Sequence, residues 1–276
     1  MASVGSVRKT TLKAGRKALT LSSIFSVRFE NLSFLIPLSL MLLFWEFSLR
    51  LNIISPEVLP APSQILSVLL LNLLVKPEFT ISLFERLLTI TMGIVVAILL
   101  ALPIAIVTGL NTRVDSSVTP LMMVVGALPD VALMPFFIYW FGKGTATALL
   151  IAVMVAFFPL FFTLREGVKH IPSDYFHVAF VFNAGGLKLF TKLIFPAILP
   201  QFITGVRLAY EFLWEVILAV EVIARIHGVG FLINLAVGEG SLTQAFAGIF
   251  MVGIVVILVD RLVFQVIESR VKRWHD

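Results

Sequence analysis

The chain has 276 residues, 59% of them hydrophobic and 13% charged, with 25 phenylalanines and a mean hydropathy of +1.04. A soluble domain carries about a quarter charged residues and under half apolar ones, so a water-soluble globule and a disordered chain are both excluded. The balance of 21 Lys+Arg against 16 Asp+Glu is mildly basic, and the absence of cysteine excludes disulfides, thiolate catalysis and cysteine-bound metal.

Residues 1–32 form a basic segment with Arg8, Lys9, Lys13, Arg16, Lys17 and Arg28. No small-residue cleavage site follows the next apolar run, so the segment is not a removed signal peptide. It fits either an interfacial helix or a disordered tail. Residues 33–276 form the membrane domain. A bilayer-crossing helix needs about 20 mostly apolar residues, and six stretches are expected to supply one each: 33–49, 87–110, 118–141, 145–164, 197–224 and 245–264. The first holds Glu46 near its end, and the third is interrupted by Pro129, Asp130 and Pro135. Ala101, Ala105 and Gly109 give the second a smooth stripe for close helix approach. Threading the chain through six spans puts fifteen of the 21 Lys and Arg on one side and five on the other. That asymmetry predicts a multi-pass protein with both termini in the cytoplasm, and it makes the basicity a topology signal in place of a nucleic-acid one.

Two segments depart from an inert bundle. Residues 165–196 are long for a loop between spans. Pro172-Ser173-Asp174 starts a helix, Phe176, Ala179 and Phe180 recur at helical spacing, and Asn183-Ala184-Gly185-Gly186 ends it. A second short helix over 187–195 is expected to stop at Pro196. Tyr175, Phe176 and Phe180 then make either a docking surface or a face folded back onto the membrane. The fifth span carries Arg207, Glu211, Glu215 and Glu221. An ionised group at mid-bilayer costs about 3 kcal/mol on insertion scales, so such residues face a bundle interior or a wet cavity. Arg207 and Glu211, and Glu211 and Glu215, are four apart and share a face. They line a translocation path or order the packing of helices, and Asp130 beside its prolines is read in the same two ways.

Catalytic signatures are not found. Gly142-Lys143-Gly144 lacks the upstream glycine and following hydroxyl of a phosphate-binding loop. His170, His177, His227 and His275 have no metal-ligand spacing, and no G-x-S-x-G occurs. No cofactor or metal bound by this chain is expected, and no enzymatic activity.

Several segments together resemble the membrane-spanning permease of bacterial ABC importers, in the branch serving nitrate, taurine, aliphatic sulfonates and bicarbonate. They are Leu59-Pro60-Ala61-Pro62-Ser63, Ser82-Leu83-Phe84-Glu85-Arg86 followed by Gly93 and Gly109, the run from Leu128 to Pro135 with Trp140-Phe141-Gly142, Leu199-Pro200, Gly205-Val206-Arg207, Trp214, Glu221, Gly228-Val229-Gly230, Asp260 and Trp274. The resemblance covers about residue 33 to the end. It implies an all-α type I importer fold in the inner membrane. It also implies a second permease copy, identical or not, two cytoplasmic ABC ATPases using ATP with Mg, and a periplasmic or lipid-anchored solute-binding protein. Residues 165–196 would be the coupling segment, with Tyr175, Phe176, His177, Ala179, Phe180, Asn183, Gly185 and Gly186 at the ATPase. The family's E-A-A falls on His177-Val178-Ala179 and its glycine on Asn183, with Gly185 and Gly186 placed to take over the turn. The expected solute is a small anion, on Arg207 and the family analogy. An organic heterocycle such as a vitamin or pyrimidine precursor is the rival, and a secondary transporter is the reading from another class.

Overall fold

A computed structural model describes residues 35–55, 58–74 and 77–275; the basic segment 1–32 lies outside them. The chain divides between Trp45 and Glu46. Described residues from Glu46 onward pack as one unit, and residues 35–45 belong to the other. Regular structure among the described residues is entirely helical.

Helix α1, Leu35–Arg50, ends with Arg50 donating to Glu46 one turn back, at 2.9 and 3.0 Å. Glu46 also accepts from the Ser63 backbone N–H at 3.2 Å and its hydroxyl at 2.9 Å. It thereby satisfies orphan donors at the start of α2, Pro62–Leu74, where Pro62 occupies the first helical position. Helix α3, Pro77–Leu110, is followed by α4, Thr112–Gly126, and α5, Asp130–Phe141. Then come α6, Thr145–Lys169, and α7, Ser173–Val181. A one-turn α8, Leu187–Leu189, runs through a π-helical turn, Phe190–Ile194, into α9, Phe195–Ala224. Helices α10, Val229–Gly238, and α11, Leu242–Val259, follow. A second π-helical turn, Asp260–Phe264, leads into α12, Gln265–His275.

The core is α6 sandwiched between α3 and α9. Ile151, Ala152, Ala156, Leu160, Phe161 and Leu164 of α6 are fully buried. The small-residue stripe of α3 is longer than the three residues read from sequence. Ala97, Ala101 and Ala105 are fully buried, and glycines stand at both ends. A Cβ on Gly93 would lie 2.6 Å from the Ala152 Cβ, and one on Gly109 2.7 Å from Val168. Backbones touch because nothing larger intervenes.

The span expectations need correction in three places. Four helical stretches, Glu78–Leu110, Thr145–Lys169, Leu187–Ala224 and Leu242–Val271, are long and apolar enough to cross a membrane, or five if a bent pair counts as one span. The bent pair is the expected third span: α4 and α5 meet at 86°. Pro129 interrupts the ladder there and its fixed backbone starts α5 afresh. Helix α6 also continues past Leu164 to Lys169. Lastly, Pro196 does not end a helix, because the π-helical turn pairs the Phe195 N–H with the Phe190 carbonyl. Pro196 then sits in the first turn of α9, where no N–H is needed.

Candidate functional site

Coupling candidates gather on one arm. Helix α7 follows α6 after only His170-Ile171-Pro172. Its end is a Schellman turn, with the Ala184 N–H donating to the Ala179 carbonyl and Asn183 N–H to Phe180, both at 2.9 Å. Asn183 itself holds the left-handed position at φ 51°, and Gly186 adopts φ 53°. Asparagine tolerates this region well among non-glycine residues, so the turn keeps its shape where the family pattern has glycine, and Gly186 sets the exit. Phe176 and Ala179 turn partly back toward the unit, whereas Tyr175, Phe180, Asn183 and Gly185 are exposed. His177 is exposed too, 4.0 Å from Asp174. Sequence spacing missed the rest of the apolar surface: Val178, Val181, Phe182 and Leu187 are exposed by 54%, 80%, 78% and 76%. Together these side chains form an apolar surface much denser than isolated exposed residues would give. Behind the arm lies a cavity of about 680 Å³, lined by Ile171, Tyr175, Lys192, Pro196 and Val271 among others.

The charges of α9 separate into three environments. Glu211 and Glu215 stand on its exposed face. Asp130, in the first turn of α5, is partly buried and feels the charge of Glu215. The half-exposed Arg207 is not a free cation: its Nε lies 2.8 Å from Asp260 and 3.4 Å from Glu211, and Nη1 lies 3.7 Å from Glu268. The π-helical turn beginning at Asp260 inserts an extra residue per turn there. Sequence reading found the Glu211 contact from its spacing but not Asp260 or Glu268, which come from the far end of the chain.

Glu221 takes a different place from its neighbours. It is fully buried and ion-paired with Arg86 of α3, itself 4% exposed. Its second oxygen accepts the Gly230 N–H at 2.6 Å. A Cβ on Gly228 would collide with the Glu221 carboxylate, and one on Gly230 would lie 2.6 Å from the Leu218 carbonyl. Three elements read separately in sequence, the Ser82–Arg86 run, Glu221 and the Gly228-Val229-Gly230 loop, therefore form one clasp where α9 turns into α10.

This end of the unit is opposite the α7 arm. Helices α3 and α6 run side by side in the same direction, as the Gly93–Ala152 and Gly109–Val168 contacts require. The last turn of α6 leads to α7, and its first turn, at Thr145, lies beside Arg86 of the clasp.

The sequence is similar to those of known proteins. The sequence profile of the family described as "Binding-protein-dependent transport system inner membrane component" matches residues 93–273. The chain is 28% identical over 243 residues to the taurine transport system permease protein TauC of Escherichia coli, covering 86% of this chain and 88% of that one. It is 28% identical over 219 residues to the formylaminopyrimidine transport permease protein ThiX of Halalkalibacterium halodurans, covering 79% and 86%. The bicarbonate transport system permease protein CmpB of Synechococcus elongatus matches at 29% over 175 residues, 63% of each chain. With its helical spans and a profile match over most of its length, the chain belongs to the binding-protein-dependent transport system inner membrane component family, as a permease subunit of an ABC importer.

Proposed function

We propose that the chain forms the solute path of an ATP-driven importer in a bacterial inner membrane, with both termini cytoplasmic, and that α7 docks onto a separate ABC ATPase. The carrying observation is the α7 arm, which holds exposed Tyr175, Val178, Phe180, Val181 and Phe182 clear of the helical core on a short proline-stiffened link. Most of the basic residues fall on this side, which fits a cytoplasmic arm. A second permease copy, two ATPases with ATP and Mg, and a solute-binding protein complete the machine. The exposed Glu211 and Glu215 of α9, with Asp130 nearby, are the path residues. ATP binding supplies the differential free energy between inward- and outward-facing states, since a solute that binds both equally shifts neither.

The solute is a small anion of the kind named for the taurine and bicarbonate relatives. Arg207 is compensated by Asp260, Glu211 and Glu268, so selection of that anion does not rest on its charge. That compensation, with the formylaminopyrimidine relative at equal identity, favours an organic heterocycle as the second reading.

Replacing Tyr175, Phe176 and Phe180 together with alanine is expected to abolish co-purification of the ATPase while the chain still inserts. Full recovery of the ATPase with this variant contradicts the docking assignment. In the wild-type complex, hydrolysis stimulated by binding protein loaded with taurine or bicarbonate supports the anion. Stimulation by a formylaminopyrimidine alone supports the heterocycle.

A further inference from the structure

A second charge cluster, outside the α9 group, sits where α4 begins and α6 ends. Asp115 of α4 accepts from Arg165 Nε at 2.5 Å and Nη2 at 2.7 Å, from Lys169 Nζ at 2.9 Å, and from the Thr119 hydroxyl at 2.6 Å. Its side chain is 14% exposed and that of Arg165 12%. Both oxygens are thus engaged, in the two-pronged geometry that makes arginine–carboxylate pairs rigid. The α3–α4 turn is fixed beside it: Asn111 Oδ1 accepts from the Arg113 and Val114 N–H groups at 3.0 and 3.3 Å. The same two turns of α6 are pinned from other sides. Gly109 of α3 approaches Val168 and the Arg165 carbonyl, and Gly167 leaves room only for Gln201 of α9.

Position gives this cluster its meaning. Lys169 closes α6, and after three linking residues α7 begins, with Ile171 buried and Pro172 stiffening the link. A displacement of α7 therefore reaches Arg165 and Lys169 before any other charged pair in the core. From Asp115 onward, α4 runs 12 residues to Gly126, about 18 Å at 1.5 Å per residue. At its far end it bends by 86° into α5, whose first residue is Asp130.

Resting on the docking reading above, we propose that Asp115 is a positioning residue for energy coupling: through Arg165 and Lys169 it ties the α7 arm to the α4–α5 lever, so that ATPase movement is delivered to Asp130 in the path. An ion pair held only for stability would serve equally well anywhere between α4 and α6. This one is placed where the last turns of α6 lead into the arm. Among the described residues, no other contact joins α4 to the last turns of α6 through two charged donors.

The test exploits a chain without cysteine, in which Val124 near the end of α4 and Ser241 before α11 can be replaced by spin-labelled cysteines without background. In the assembled complex with its ATPase, the Val124–Ser241 distance is measured without nucleotide and with ATP and vanadate. The wild type is expected to shift. Asp115→Asn is expected to lose most of that shift while ATPase co-purification and ATP hydrolysis persist, and the exchanged pair Asp115→Arg with Arg165→Asp is expected to restore it. An Asp115→Asn complex that shifts as the wild type does overturns the latch and leaves the docking reading standing. A wild type that does not shift at all, with ATP being hydrolysed, sinks both. If Asp115→Asn fails to assemble, Arg165→Lys carries the same comparison, since it keeps the charge and loses the two-pronged contact. A normal shift there, or an exchanged pair that assembles without shifting, again overturns the latch.

Discussion

Glu221→Ala is expected to destabilise the permease by about 3–5 kcal/mol, the cost of leaving a buried charge without its partner. Arg86 would remain almost wholly buried opposite an empty position, and the Gly230 N–H would lose its acceptor. Arg86→Ala is expected to do comparable damage from the other side. The informative control is the double variant Arg86→Met with Glu221→Leu. Replacing a buried pair by apolar groups of similar volume is often neutral, so the double variant should recover most of the loss, short of the cost of one unsatisfied backbone donor, about 1–3 kcal/mol. Gly228→Ala should reproduce the single-variant defect, because its methyl group would occupy the space of the Glu221 carboxylate. Thermal unfolding of the detergent-solubilised chain, followed by loss of the monodisperse chromatographic peak, measures all four. A Glu221→Ala chain as stable as the wild type would show that the clasp contributes nothing to the fold.

Gly93→Leu carries the second large effect. Inserting extra carbon atoms into a well-packed core costs about 1–3 kcal/mol, occasionally more. Here even the first carbon would lie 2.6 Å from the Ala152 Cβ and 3.3 Å from its backbone carbon, and Ala152 is fully buried at the centre of α6. Neither side has a flexible side chain to give way, so α3 and α6 must separate. Leu99, 68% exposed on the outer face of the same helix, is the matched site: Leu99→Ala is expected to leave stability unchanged. The same unfolding assay distinguishes them. Equal stability of the two variants would contradict the close α3–α6 contact.

How far the sequence carries toward this structure varies by feature. Long apolar runs identified the helices α3, α6, α9 and α11 because a run of such length has no other solution in a membrane. Boundaries escaped, since hydropathy is blind to the polar turns by which α3 and α6 extend beyond the bilayer-length core. Pro129 and Pro196 illustrate the other gap. Both are helix interrupters by composition, yet one makes an 86° bend and the other sits inside a continuous rod. What separates them is a π-helical turn, and no local signal in Phe190–Ile194 announces it.

Charged residues followed the same division. Spacing of four residues was enough to pair Arg207 with Glu211, because helix geometry alone decides it. Glu221 stands off that four-residue spacing, and its partner Arg86 lies more than a hundred residues away. Asp115 with Arg165, fifty residues apart, was silent for the same reason. Long-range pairing needs the fold, and in this chain the fold spends its buried charges on joints between helices.

Cross-linking in membranes tests whether α7 is the surface through which an ABC ATPase drives this permease. Single cysteines placed at Val178, Val181 or Phe182 of the cysteine-free chain, and at Ser241 as the opposite-end control, are tested for bond formation with cysteines introduced into the ATPase surface in intact membranes. Efficient cross-linking from the three α7 positions and none from Ser241 is the predicted result. No cross-link from α7, or cross-links from Ser241 alone, would contradict the account.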